Sequence, residues 1–426
     1  MDLIRFCKDL YKFPRSITGK GIKDTLIYIK KIIPIEIKKV KSGTKAFDWI
    51  VPPEWNIKSG YIIDLNSNKK IIDFKNHNLH VVSYSEPVNK VMNFNQLEQN
   101  LYYIKEIPHA IPYVTSYYSR RWGFCLAYND FKKINKKSKF KVVIDSVLND
   151  SGELNYGEIY IKGESEKEIF LSTYICHPQM VNNELSGPAV LTHIVKKLLS
   201  NNNYFSYRVI FIPETIGSIV YLSKNLDHLK KNVIAGFNVT CVGDNRMWGF
   251  VPTRYGNSIS DKVALYVLKK YIGDFKKFSW LDRGSDERQF CSPGIDLPIC
   301  CITRSKWDEY PEYHTSDDNF DLVTNKSLNE SLEIYLKCID VIEKEKILFP
   351  IVTVMCEPQL GKRGLQHTIK TSTTSREYRS LKNFISYCDG TNTIDEIAVL
   401  VNISREKATS FYNILRENKL VRNFIR

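Results

Sequence analysis

Apolar residues recur with two different periods along this chain, and the change from one to the other divides it. Over residues 1–38, leucines and isoleucines recur at helical spacing on either side of a polar turn at 13–19, which predicts two helices. From about 40 to 140 the pattern becomes short alternating runs (61–65, 70–74 and 80–84) set between Asn, Gly and Pro clusters, which predicts a β-rich module. Further on, strand-like runs at 140–145, 159–162, 169–176, 207–212, 234–242 and 297–302 alternate with helical spacing at 187–199, 218–229 and 259–271. Such alternation predicts an α/β fold, a mainly parallel or mixed sheet with helices on both faces.

The stretch 350–375 has few periodic apolar positions and reads as a boundary. Three short helices follow, at 381–388, 393–401 and 404–418, the last capped by Ser404, with a strand expected at 420–425. This is the pattern of a winged helix. The expected organisation is an α/β unit of residues 1–38 and 140–345, a β-rich insertion at 39–139, a linker at 346–375, and a winged-helix-like unit at 376–426.

Composition narrows the setting. A chain of 426 residues with 43% hydrophobic and 25% charged residues is globular, and no apolar run reaches the ~18 residues that would span a bilayer. The start of the chain, an amphipathic helical pattern, lacks the zones of a secretory signal, so a cytoplasmic location is expected. Ten scattered cysteines without a C-x-x-C pair indicate neither a disulfide framework nor a cysteine-built zinc module. The net charge of +14 comes from lysines spread along the whole chain, which argues against a dedicated nucleic-acid patch.

Candidate chemistry collects after the strand-like runs. His177, Asn183 or Glu184, Glu214, Thr240 to Asp244, Asp286 and His314 each follow or nearly follow one. Strand ends of one open sheet converge on one crevice, so residues distant in sequence are expected to meet there. Two imidazoles with intervening acids are the parts of a Lewis-acid hydrolase. A carboxylate at the mouth of an apolar strand, as at Glu214, is partly desolvated, which lifts its pKa toward that of a general base. Cys176 beside His177 does not form a dyad, because neighbouring strand residues point to opposite faces. Ser186 lacks the Gly-x-Ser-x-Gly elbow of a nucleophile. The aromatic run 113–122 suits stacking on sugars or peptide side chains, although packing between units explains so apolar a segment as well.

The order of His177, Asn183-Glu-Leu-Ser-Gly187, Glu214-Thr-Ile-Gly-Ser218, Asn238-Val-Thr-Cys-Val-Gly243, Ser285-Asp-Glu-Arg-Gln-Phe290 and Tyr313-His-Thr-Ser-Asp317 resembles the co-catalytic zinc aminopeptidase family. Arg15-Ser-Ile-Thr-Gly19, Val51-Pro-Pro-Glu-Trp55 and Arg121-Trp-Gly-Phe-Cys125 resemble signatures of a bacterial and archaeal subfamily with an inserted β-rich module and a C-terminal winged helix, often described as associated with polysaccharide biosynthesis. The resemblance implies metal ligation by His177, Asn183 and His314, with Glu214 as base and Asp286 as a supporting catalytic residue. Three positions depart from the family: Asn183 replaces a bridging Asp, and Thr215 and Thr240 replace acidic ligands. One zinc is therefore expected rather than two, with Asp244 or Glu184 completing its ligands.

The function expected is zinc-dependent hydrolysis of an amide bond, in a peptide or an N-acylated small molecule, by water that the metal activates. The alternatives are a binding or scaffold protein of a glycan pathway and a winged-helix nucleic-acid binder. The third helix of the winged-helix unit mixes Arg405 and Lys407 with Glu406, so contact between domains or between copies in a homo-oligomer is expected of it rather than phosphate tracking.

Overall fold

Continuous apolar runs make the centre of the molecule. The computed structural model describes residues 2–345, 347–366 and 372–424, without the side chains of 372–375. Eight strands form the main sheet: β1 (Glu36–Lys41), β2 (Glu153–Ile161), β3 (Glu168–Tyr174), β4 (Ser206–Ile212), β5 (Val233–Asn238), β6 (Trp248–Val251), β7 (Lys276–Lys277) and β8 (Ile299–Arg304), in the order β1-β2-β4-β3-β5-β8-β6-β7. The four central strands β4-β3-β5-β8 are parallel, whereas β2 joins β4 and β6 joins β8 antiparallel. Every residue of β3, β5 and β8 is buried, as expected where both faces of a parallel sheet are covered.

Helices α1 (Leu3–Leu10), α2 (Lys20–Lys30), α3 (Ser186–Leu199), α4 (Ile216–Asn232), α5 (Ile259–Tyr271) and α6 (Asn325–Glu343) surround this sheet. Leu171 of β3 stands opposite Phe237 of β5, so Phe170 and Phe237 point to different faces. Phe237 meets Tyr335 of α6 and Phe170 meets Tyr221 of α4, which places helices on both sides. Gly187 lets α3 approach closely, since a Cβ there would lie 2.3 Å from the Val239 carbonyl oxygen and 2.5 Å from Thr173 Oγ1. Among the described residues no helix is long and apolar enough to cross a membrane.

Two boundaries differ from the sequence expectation. Lys139–Asn149, expected at 140–145 as the first strand of the α/β unit, instead pairs with Glu54–Asp64 and Val88–Asn93 in a separate four-stranded sheet completed by Lys69–Asp73. Its half-buried alternation is the mark of an antiparallel sheet with one wet face. Near the start, α2 ends at Lys30 and residues 36–41 are a strand, because Pro34 and the residue before it disfavour helix.

The C-terminal unit has helices Ser372–Ser386, Ile394–Leu400 and Arg405–Glu417, with Pro350–Val352 antiparallel to Val421–Asn423. Part of the stretch read as a linker thus supplies a strand to this unit, and residues 346 and 367–371 of it lie outside the described residues. The expected strand at 420–425 is found at Val421–Asn423, with residue 425 outside them.

Candidate active site

The carboxyl ends of the parallel strands deliver the site. His177 follows β3, Glu214 follows β4, Thr240 follows β5, and His314 comes from the loop after β8. His177, Glu214 and His314 line one cavity of about 390 Å³. The His177 backbone is held by Arg15, a fully buried side chain between α1 and α2 whose Nε donates to the His177 carbonyl oxygen at 3.0 Å and whose Nη1 donates to that of Leu10 at 2.5 Å. His314 has a positive φ of 55°, and its loop is pinned by the inserted module: Tyr113 N–H donates to the His314 carbonyl oxygen at 2.8 Å and Ser316 N–H to that of Ile111 at 2.9 Å.

Each ring nitrogen of His177 faces a carboxyl group. Nδ1 lies 3.0 Å from Glu184 Oε2, and Nε2 lies 3.5 Å from Glu214 Oε2. Behind Glu184 stands Arg15, with Nε 3.4 Å from Oε1. Burial holds His177 down to about 3, with the Arg15 charge adding to it, and burial together with His177 holds His314 well below the usual imidazole range. Both rings are neutral, the form that binds metals. Burial pushes the Glu184 carboxyl up while Arg15 pulls it back. Burial and the neighbouring Asp286 raise the Glu214 carboxyl well above its ordinary value, against the pull of Arg288. Proton affinity of that kind is what a general base requires.

Asp286 stands behind the base, where its Oδ1 accepts from Thr215 N–H and Ser218 Oγ–H, both at 2.8 Å. It thereby fixes the Glu214–Thr215 turn, in which Thr215 holds a positive φ of 64°, a costly conformation for a β-branched residue. Glu184 is buried beneath the Nδ1 side of His177 rather than in the cavity. Asp244 lines a different cavity, with Arg246 Nε donating to its Oδ2 at 2.8 Å. The structure therefore brings His177, His314 and Glu214 to one space and leaves Asp244 outside it.

Asn183 and Thr240 meet through a tyrosine. Tyr174 OH donates to the Asn183 carbonyl oxygen at 2.7 Å and accepts from Asn183 Nδ2 at 2.9 Å and Thr240 Oγ1 at 2.6 Å. A neutral hydroxyl thus joins two positions at which the resemblance expects acidic ligands, and that half of the site offers no charge to a cation. Two neutral donors remain free for one. Asn183 Oδ1 and His314 Nε2 are buried without a hydrogen-bond partner among the described residues, and both are lone-pair donors. Cys176, His177 and Glu184 also place ligand atoms within 4.8 Å of one another. Contrary to the expectation of opposite faces, Cys176 Sγ lies 3.5 Å from His177 Nδ1, because both residues lie beyond the end of β3; Cys176 Sγ also accepts from Glu214 N–H at 3.3 Å, and the Arg15 cation lies against Glu184. His177 and His314 thus face the cavity as candidate ligands, while Asn183 lies outside its lining.

Several site residues carry no strand-end signal. Tyr113 sets its ring edge against both histidines, at centroid distances of 5.3 and 5.1 Å, and its hydroxyl bonds that of Tyr117. Arg288 reaches the cavity and donates to Thr215 Oγ1. Asp318 accepts from the backbone N–H groups of Asn182 and Asn183 at 2.6 and 2.8 Å and orders the turn before α3. The aromatic run supplied the signal for Tyr113 and Tyr117, and the acid-rich motif around Asp286 could have pointed to Arg288.

Comparison with known proteins places this arrangement. Residues 4–345 match the family described as Domain of unknown function (DUF4910). The chain belongs to this family. Residues 349–423 match a winged helix-turn-helix family. A Clostridium acetobutylicum protein provisionally named for polysaccharide biosynthesis and for an aminopeptidase-like domain is 46% identical over 373 residues, 86% of this chain and 83% of the relative. A crystal structure from the same organism, provisionally named a peptidase, is 40% identical and covers 99% of this chain and 96% of its own, with a TM-score of 0.80. A zinc aminopeptidase from Bacillus subtilis shares the fold at 14% identity, over 81% of this chain and 94% of that one, with a TM-score of 0.56. This family member thus has an aminopeptidase-like fold followed by a winged helix.

Proposed function

We propose that the chain is a hydrolase of an amide bond in a peptide or N-acylated small molecule, acting with one zinc ion in a step of polysaccharide biosynthesis. The observation that carries this reading is the convergence of two neutral imidazoles, His177 and His314, with the proton-avid Glu214 in one cavity. His177, His314 and Asn183 Oδ1 would hold the ion, and the chemistry it would supply is polarisation of an amide carbonyl. Glu214 takes the proton of the attacking water and returns it to the departing amine. Asp286 keeps the Glu214 turn in place, and Arg288 sets a positive charge beside the base. Polysaccharide biosynthesis enters from the name of the Clostridium acetobutylicum relative. The free cysteines suit a reducing compartment, and we assign the chain to the cytoplasm.

The Tyr174–Thr240–Asn183 network favours a second reading, a glycan-binding protein that no longer turns over. Metal content and activity together separate the two. After dialysis against zinc, the chain is expected to retain a single ion, and the His177→Ala, His314→Ala double variant none. Glu214→Gln is expected to keep the ion and lose about 10²–10⁴-fold in amide hydrolysis. Zinc-free wild-type protein after that treatment would overturn the hydrolase.

A further inference from the structure

The cavity at Glu214 is lined by the inserted module as well as by the α/β unit. Its rim is Trp49, from a two-stranded ribbon (Lys45–Ala46 with Trp49–Ile50), together with Tyr117 and Tyr118. The same three residues line a second cavity of about 760 Å³, so the two spaces adjoin across an aromatic wall. Trp49 and Tyr118 meet edge to face, with centroids 5.6 Å apart and planes at 72°. They are 37% and 56% exposed, a large apolar surface to leave in water beside a candidate site. Polar groups line the second cavity with these rings: Asp48, Arg120, Asp150 and Ser119. The Arg120 contacts with Asp150 and Glu86 are long, 3.6 and 3.9 Å, so the guanidinium is not locked in place.

Exposed ring faces bordered by carboxylates, a guanidinium and hydroxyls match one ligand chemistry closely. A pyranose ring presents an apolar C–H face to an aromatic ring and hydroxyl groups at its edge to planar acceptors and donors. An extended peptide would need a strand edge to pair with, and each strand of this ribbon is two residues long. The volume lies within the range of small-molecule sites and exceeds what a single sugar ring fills.

We propose that this groove is an oligosaccharide subsite that seats sugar rings on Trp49 and Tyr118 and presents the N-acyl group of an amino sugar to Glu214. The inference rests on the amide-hydrolase reading and names its substrate. Water adds across the C–N bond: its oxygen goes to the acyl carbon, which leaves as a carboxylic acid, and the sugar nitrogen takes a proton from Glu214 and leaves as a free amine.

The test uses the full chain in calorimetric titrations with tri-N-acetylchitotriose, maltotriose and acetyl-trialanine amide, beside an assay for released acetate. The N-acetylated trisaccharide is expected to bind in preference to the other two, and Glu214→Gln to bind it as the wild type does. Trp49→Ala and Tyr118→Ala are each expected to weaken binding about tenfold, and Trp49→Phe to restore most of it. Tyr118 lies outside the ribbon, so its variant keeps the test valid if Trp49→Ala disturbs the ribbon. No saturable binding of the N-acetylated trisaccharide overturns the subsite, as does a preference for the peptide or an affinity indifferent to both alanine variants. Ring-dependent binding without acetate release leaves the subsite standing and removes the hydrolase reading. Acetate release with kcat/KM unchanged by both alanine variants does the reverse.

Discussion

His177 sits between two carboxyl groups, and which nitrogen each one faces decides what the ring offers the cavity. Glu184, with Arg15 behind it, lies 3.0 Å from Nδ1, and burial holds its carboxyl up to about 8. A ring that donates from Nδ1 keeps the Nε2 lone pair for the cavity side, where Glu214 waits at 3.5 Å. Glu184→Gln exchanges the carboxyl for an amide of the same shape. Zinc affinity is expected to fall about 10–100-fold, as when other partners of a ligating histidine are lost. Unchanged zinc affinity in a chelator-competition titration would show that Glu184 does not set the tautomer. His177, Glu214 and His314 were legible from the sequence because each follows a strand-like apolar run. The part played by Glu184 was not, since its contact with Nδ1 depends on Arg15 arriving from the far end of the chain.

At the scale of elements, β3 carries the site at one end and an ion cluster at the other. Glu168 at its start is 1% exposed, with Arg208 Nε at 2.7 Å, Arg208 Nη2 at 2.9 Å and His228 Nε2 at 2.7 Å, which ties β3 to β4 and α4. Burial opposes ionisation of this carboxyl, but the Arg208 and His228 hydrogen bonds outweigh it and the pKa is lowered from 4.5. A depressed folded-state pKa stabilises above the unfolded value, and that contribution is lost as pH falls through the folded one. Glu168→Gln is therefore expected to cost about 3 kcal/mol at pH 7. The gap to wild type should close in melts taken progressively below pH 4.5, and a gap independent of pH would refute the linkage. The central strands were legible for the same reason that they are stable: continuous apolar runs need cover on both faces. Strands of two to four residues such as β6, β7 and Pro350–Val352 were not, because no periodicity develops over so few positions and only their partners define them. The insertion was legible as β-rich, yet Lys139–Asn149 was given to the wrong sheet, since alternation reports burial and not which sheet a strand joins.

Across the whole molecule, the question is what a winged helix does on an aminopeptidase-like body. Its third helix, Arg405–Glu417, is the one such folds place in a DNA groove. Here the basic residues of its first turn are engaged: Arg405 Nε lies 2.8 Å from Asp395 Oδ1 and Lys407 Nζ lies 3.1 Å from Glu377 Oε1. The same turn borders the main body with its side chains still in water, Arg405 72% exposed. Arg405 and Thr409 line a cavity of about 460 Å³ together with Lys262, Tyr266 and Lys269 of α5. Lys262 Nζ closes this junction through Glu396 Oε2 at 2.7 Å and also donates to the Thr391 carbonyl oxygen. A duplex that reached the helix would meet basic side chains already paired with Asp395 and Glu377. The net charge of +14 still attracts polyanions, but diffusely. The full chain is thus expected to show only weak, non-saturating association with a labelled 20-base-pair duplex at about 50 mM salt, unchanged by Arg405→Ala. Saturable binding that falls steeply with salt and weakens in Arg405→Ala would mean that the helix contacts phosphates in spite of these pairs.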